Sequence, residues 1–151
     1  MAVEISTVGA VVKWKVGTSR PTSGYTELAN VNTAPSLGAT PSTIDASNTK
    51  DGITRYIAGR IDPGGIQNLT LNMTSDGAAL TDWAAIVTAY GAGASGDVWL
   101  EYKFAGLSQS FFIPIKPLPI KGDTGITQNS LKTVEAPFTV DGEPVWAASS
   151  T

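Results

Sequence analysis

Hydrophobic and polar residues alternate over most of this chain, and the alternation has the period of a β-strand. In Ala10 to Val16, Ala10, Val12, Trp14 and Val16 alternate with Val11, Lys13 and Lys15. Ala2 to Thr7 predicts a further short strand before Val8-Gly9. In Ile53 to Ile61, Ile53, Arg55, Ile57, Gly59 and Ile61 share one face; in Ile66 to Met73, Leu69, Leu71 and Met73 do. These two runs meet at Asp62-Pro63-Gly64-Gly65, where Pro63 presets φ and Gly64 tolerates the positive φ of a type II turn, so a β-hairpin is predicted. Asp97 to Phe104 sets Val98, Leu100, Tyr102 and Phe104 against Asp97, Trp99, Glu101 and Lys103. Ala105-Gly106-Leu107 predicts the turn into Gln109 to Ile115, with Phe111, Ile113 and Ile115 inward. Pro114 cannot donate to a ladder, so that strand is expected to be an edge or to leave the sheet there. Leu131 to Val140 places Val134, Ala136, Phe138 and Val140 on one face; Asp141-Gly142 is read as a turn, and Glu143 to Ala148 as a short terminal strand.

One segment has a different period. Ala79, Leu80, Trp83, Ile86, Val87 and Tyr90 recur at helical spacing, after Ser75 or Asp76 as a cap and before Gly91 and Gly93. A single helix over about residues 76–90 follows, with Leu80, Trp83, Ile86 and Val87 as its core face. Gly17 to Ala39 reads as a long early loop, with Tyr25 to Val31 as its one extended piece. Strands, a hairpin, one helix and more strands, without βαβ alternation, predict a mainly β fold. A β-sandwich or open β-barrel with one packed α-helix fits best, as a single domain over residues 1–151.

Composition narrows the function. Charged residues make up 15% against about 25% in ordinary soluble domains. Such depletion suits either a Gly/Thr-rich β protein or a surface covered by neighbours, because interface cores are poor in charge. The net charge is −3 and the basic residues are scattered, which argues against gripping phosphates by counterion release. The chain holds no Cys and no His, so thiolate or imidazole zinc sites, Ser-His-Asp triads and Cys-His pairs are excluded. Met1 to Glu4 lacks the marks of a signal peptide, and no apolar run approaches the ~20 residues of a membrane span. Asp45, Asp51, Asp62, Asp76 and Asp82 stand beside Gly, Ser, Thr or Pro, the setting of turns and caps rather than of acid/base pairs. Asp97, Glu101 and Lys103 share a strand face, read as solvated or lumen-facing. The Gly-rich pieces lack the helix start that a phosphate loop needs. No enzyme activity and no cofactor is expected.

The order of motifs resembles the tail tube (major tail) proteins of tailed bacteriophages. The matching residues are Ile44-Asp45-Ala46-Ser47, then Arg55-Tyr56-Ile57-Ala58-Gly59-Arg60-Ile61-Asp62-Pro63-Gly64. Tyr25 to Val31 resembles the family's early aromatic-x-x-Leu-x-x-Val run, and Val134 to Pro144 its closing strand. The Thr that often follows the Asp is replaced by Ala46-Ser47. The resemblance spans most of residues 25–146 through loose motifs. It implies a self-assembling subunit of stacked, usually hexameric rings in a virion tail, assembled in the host cytoplasm. Double-stranded DNA would pass through the lumen without specific binding. Tape measure, tail terminator and tail tip proteins would be partners. The early loop, chiefly Thr18, Ser19, Arg20, Pro21, Thr22 and Ser23, would help stack one ring on the next. Alternatives are a related assembly protein, such as a type VI secretion tube protein or a tail terminator, and a carbohydrate-binding β-sandwich using Trp99 or Trp146.

Overall fold

The computed structural model describes residues 4–38, 40–62, 64–91 and 96–151. Among these, eight strands form one curled antiparallel sheet, and two more form a separate ribbon. The sheet is built from β1 (Val11–Gly17), β2 (Thr26–Leu28), β3 (Val31–Thr33), β6 (Gln67–Asn72), β7 (Asp97–Lys103), β8 (Gln109–Pro117), β9 (Thr133–Val140) and β10 (Val145–Ala148). Its order is β2-β1-β7-β8-β9-β6-β3, with β10 also on β8. The ribbon pairs β4 (Thr40–Asp45) with β5 (Tyr56–Asp62).

The two end strands, β2 and β3, come from one stretch of chain. Only Ala29 and Asn30 separate them, and Asn30 takes φ 65° while its carbonyl accepts from the Asn72 amide at 2.7 Å. Asparagine tolerates this left-handed turn better than most residues. The chain therefore steps from one edge of the curled sheet to the other, and each edge is only three residues long. Short edges limit unintended pairing.

The concave face holds the predicted alternation. Val12, Val98, Leu100, Phe111, Ile113, Ile115, Leu69, Leu71, Val134, Ala136 and Phe138 are all buried. The helix α1 (Ala78–Gly91) closes this core with Ala79, Trp83 and Ile86. Its first turn is capped by Asp76, whose carboxylate accepts from the Ala78 amide at 3.1 Å. The Thr74 hydroxyl and that amide hold the Asp76 carboxyl below the usual aspartate range. Trp83 buries its ring 6.5 Å from that of Phe138, and its indole N–H donates to the Leu118 carbonyl at 2.8 Å. Val87 packs against this core as expected, but Leu80 is 42% exposed. The helical spacing marks a stripe wider than the face the sheet covers. Leu80 sits on its rim, beside a cavity of about 350 Å³ lined by Trp83, Val87, Pro119 and Ile120.

Several expectations change. The predicted hairpin between Ile53 and Met73 does not form: β5 pairs with β4, while β6 pairs with β9 and β3. Gly64 does take φ +93°, but its bend carries the chain from the ribbon into the main sheet. Pro63 lies outside the described residues. Residues 4–7 form no strand, and Ala2 and Val3 are outside the described residues. The early loop is less open than its composition suggests, because β2 and β3 both lie within residues 17–39. The turn at Gly106 is as expected, with φ +80° and the Leu107 amide donating to the Phe104 carbonyl at 3.3 Å.

β8 is no edge strand; it runs through Pro114 between β7 on one side and β9 and β10 on the other. Pro114 is tolerated because its other-side partner bulges there. Between the pairs Ile115–Val140 and Phe112–Val145, β8 advances three residues and its partner five. Asp141 and Gly142 thus form a bulge rather than a turn, and β10 continues along β8 in the direction of β9.

Candidate assembly surfaces

Among the described residues the ribbon has no hydrogen-bonded partner strand outside itself. Apart from half-buried Gly59, its described side chains are exposed, including Ile44 at 51%, Ile57 at 54% and Tyr56 at 63%. Ile44 and Ile57 are directly opposed across the strands, as are Asp45 and Tyr56. A lone two-stranded ribbon is marginal in water, so its local links matter. The Asp45 carboxylate accepts from the Ser47 amide at 2.9 Å, which holds its carboxyl below the usual range. The Ser47 hydroxyl accepts from the Arg55 amide at 2.6 Å, and the Ala46 amide donates to the Arg55 carbonyl at 2.8 Å. Ser47, two residues after Asp45, and the Ala46 backbone therefore close the ribbon's far end. Asn48 and Asp51 continue this inward bonding, with the Asn48 amide 2.8 Å from the Asp51 carboxylate.

Gly59 is explained by the register. A Cβ there would lie 2.5 Å from the Ser42 hydroxyl and 3.1 Å from the Ser42 carbonyl. The ribbon narrows at a bulge between Pro41 and Thr43, where the Ser42 hydroxyl donates to the Arg60 carbonyl at 3.2 Å. Five of the motif positions, Asp45, Arg55, Tyr56, Gly59 and Asp62, lie on the ribbon or its connecting loop, and Gly64 follows at its exit. The structure gathers these positions on and beside one exposed element.

The Thr18 to Ser23 segment lies against the convex face of the sheet. Arg20 places its guanidinium 4.9 Å from the centre of the Phe112 ring, and Tyr25 packs on the same ring at 5.8 Å. The Tyr25 hydroxyl donates to the Pro21 carbonyl at 2.9 Å, and Lys15 donates to the Ser23 carbonyl at 2.8 Å. Thr18, Ser19, Thr22 and Ser23 remain exposed. A polar, Gly- and Pro-rich composition reads as a free loop; the cation–π contact fastens it instead.

Sequence reasoning missed the group beneath this segment. Glu101, expected on a solvated or lumen-facing strand face, is fully buried. Its carboxylate accepts from the Ser150 amide at 2.9 Å and the Ser150 hydroxyl at 2.5 Å. Lys103 donates to the Ser150 carbonyl at 3.1 Å. The Ser149 hydroxyl lies 2.7 Å from that of buried Ser110, and the Thr151 amide donates to the Thr22 carbonyl at 3.3 Å. The period-2 pattern separates two faces but does not say that the second is roofed by distant chain. The remaining member of that strand face, Asp97, hydrogen-bonds the Asp141 carboxyl. That bond, partial burial and the Asp141 charge push its pKa up to about 6. Lys116 lies 3.3 Å from Asp141.

The aromatic residues weighed for sugar stacking are engaged within the fold. Trp99 donates its indole N–H to the Gly17 carbonyl at 3.2 Å. Trp146, though 54% exposed, stacks on Phe104 at 6.2 Å and meets Phe111 edge-on at 5.5 Å.

No protein-family model matches this chain, and no curated protein does. Solved structures do. A chain in the 6-fold symmetrised cryo-EM structure of the anti-feeding prophage baseplate aligns over 100% of both chains, with a TM-score of 0.65 and 9% identity. A chain in the cryo-EM structure of the anti-feeding prophage tube-terminating cap aligns over 99% of this chain and 94% of its own length, with a TM-score of 0.62 and 12% identity. At such identities the likeness is one of fold, and it extends over all or nearly all of the chain.

Proposed function

We propose that this chain is a structural subunit of a phage-type tail tube, built into rings that stack around a DNA conduit. The carrying observation is the β4–β5 ribbon, which presents exposed Ile44, Tyr56 and Ile57 and two outer strand edges that pair with no strand among the described residues. Exposed strand edges bearing large apolar side chains are a liability unless a partner covers them. A ring of copies supplies that partner by heterologous contacts, and closure leaves no subunit with a bare edge. Low charge content and a net charge of −3 suit crowded protein contacts and a lumen along which DNA slides. The fold likeness to baseplate and cap chains supports the same reading.

A second reading, a tube-terminating subunit that stops at one ring, is favoured by the likeness to the cap chain. Growth past one ring separates the two. The ribbon's part is tested with the double substitution Ile44→Asp, Ile57→Asp. Because neither residue enters the core, the variant should melt like the parent yet form no rings in negative-stain images. Rings of parental shape from this variant would remove the ribbon from the interface.

A further inference from the structure

The last residues of the chain occupy a built binding site. β10 adds to the free stretch of β8, with Val145 opposite Phe112 and Ala148 opposite Gln109. Trp146 lies on the Phe104–Phe111 aromatic platform. Beyond the ladder, Ser150 is gripped at three points: Glu101 takes its amide and hydroxyl, and Lys103 takes its carbonyl. A backbone ladder, an aromatic anchor and a buried charged group reading one serine are the elements of strand-addition peptide recognition. The segment contributes nothing to the main apolar core: Val145 and Trp146 are 39% and 54% exposed, and Ser150 alone is buried. The bulge at Asp141 to Pro144 tethers it to β9, and a Cβ on Gly142 would lie 2.7 Å from the Pro114 ring.

We infer that this site is a strand receptor that accepts residues 145–151 of a second copy as well as its own, so that neighbouring subunits are joined by exchange of this strand. The inference rests on the assembly reading above. Every contact made within one chain is reproduced between two, so exchange costs no interaction. A short, tightly seated hinge invites such exchange. In a free subunit the tether gives the chain's own strand an effective concentration of about millimolar, and it wins. In an assembly the neighbour's strand is held equally close, and the two compete. The site then gives a covalently continuous link between subunits that surface contacts alone do not.

The chain's lack of cysteine allows a direct test. Ser110 is fully buried under Ser149, their hydroxyl oxygens 2.7 Å apart. A thiol at 110 can therefore meet a neighbour's thiol at 149 only if that neighbour's strand has replaced the resident one. Ser110→Cys and Ser149→Cys chains are mixed, concentrated and oxidised, and the disulfide peptides are identified by mass spectrometry. The double variant Ser110→Cys, Ser149→Cys, oxidised when dilute, should close within one chain and show the resident seating. The concentrated mixture should give a 110–149 disulfide between chains that is lost on dilution before oxidation. Only monomers, or only 149–149 dimers, in the concentrated mixture would overturn the exchange. So would failure of the double variant to close. If Ser110→Cys does not fold, Gln109→Cys with Ala148→Cys, opposed in the ladder, replaces the pair. Micrographs of the same sample keep the two ideas apart: rings without the disulfide refute exchange alone, and absence of rings refutes the assembly reading.

Discussion

The Glu101 carboxylate and Ser150 form the polar counterpart of the apolar core: a fully buried anion takes the serine amide at 2.9 Å and its hydroxyl at 2.5 Å. A buried carboxylate is tolerated only with its oxygens satisfied. This pair therefore ties the chain's last residues to its central strand. Glu101→Gln turns one acceptor into an NH₂ group that faces donors. It should cost about 1–3 kcal/mol and lower the melting temperature by roughly 2–4 °C for each kcal/mol in a domain of this size. Ser150→Ala, losing one hydroxyl bond to a charged group, should also destabilise, by about 1.5–3 kcal/mol. Parental melting of both variants would show that the terminal segment is not seated on Glu101.

Asp97 predicts a pH dependence. Its pKa, pushed up to about 6 chiefly by the hydrogen bond with Asp141, exceeds the ordinary value of about 4 held in the unfolded chain. The folded state then binds the proton more tightly. Its contribution to stability is full below about pH 4 and is lost as the pH rises through about 6. Asp97→Asn keeps a neutral partner for Asp141 at every pH. Melting curves between pH 4 and 7.5 should show the variant gaining on the parent as pH rises, with the gain levelling above the Asp97 pKa. A variant that loses ground over that range would contradict the paired carboxyls.

Trp83 and Leu80 are three positions apart on one helix and should behave oppositely. Trp83→Ala removes a ring that is 1% exposed, with its bond to the Leu118 carbonyl. It should cost about 3–5 kcal/mol. Leu80→Ser, at a 42% exposed position, should change stability by no more than about 0.5 kcal/mol. Chemical denaturation of both variants checks the placement of the helix against the sheet.

Gly59→Val tests the ribbon locally. A side chain there meets both the hydroxyl and the carbonyl of Ser42. Because among the described residues the ribbon shares no ladder with the main sheet, the global melt should shift little. Hydrogen exchange of the ribbon amides should rise at least tenfold, corresponding to loss of about 1.4 kcal/mol of local protection. Unchanged exchange would mean that the strands are not in this register.

Much of the main sheet was legible because its burial is periodic. Val98, Leu100, Phe111, Ile113, Ile115, Val134, Ala136 and Phe138 alternate in the sequence, and all are buried. Trp83 and Ile86 were readable for the same reason at helical period. Pairing was not readable. Ile57 and Leu69 both lie in alternating, β-branched or apolar runs, yet one is 54% exposed on a ribbon and the other is fully buried. Alternation defines a strand's two faces but not whether anything covers them. Asp45, Tyr56 and Gly59 could be picked out by order of motif, and the structure gathers them on one element. The Glu101–Ser150 contact joins residues 49 positions apart through one serine in a run of small polar residues, and no local pattern marks it. Sequence places Arg20 in the early loop but gives no sign of its partner, Phe112, which lies on a distant strand.

The central claim is assembly, and negative-stain electron microscopy of the concentrated parent chain tests it most directly. Rings of uniform diameter that stack into hollow tubes are expected, with tube length rising with protein concentration. Strict monomers in ultracentrifugation at every concentration and salt tried, with empty grids or shapeless aggregates, would contradict it.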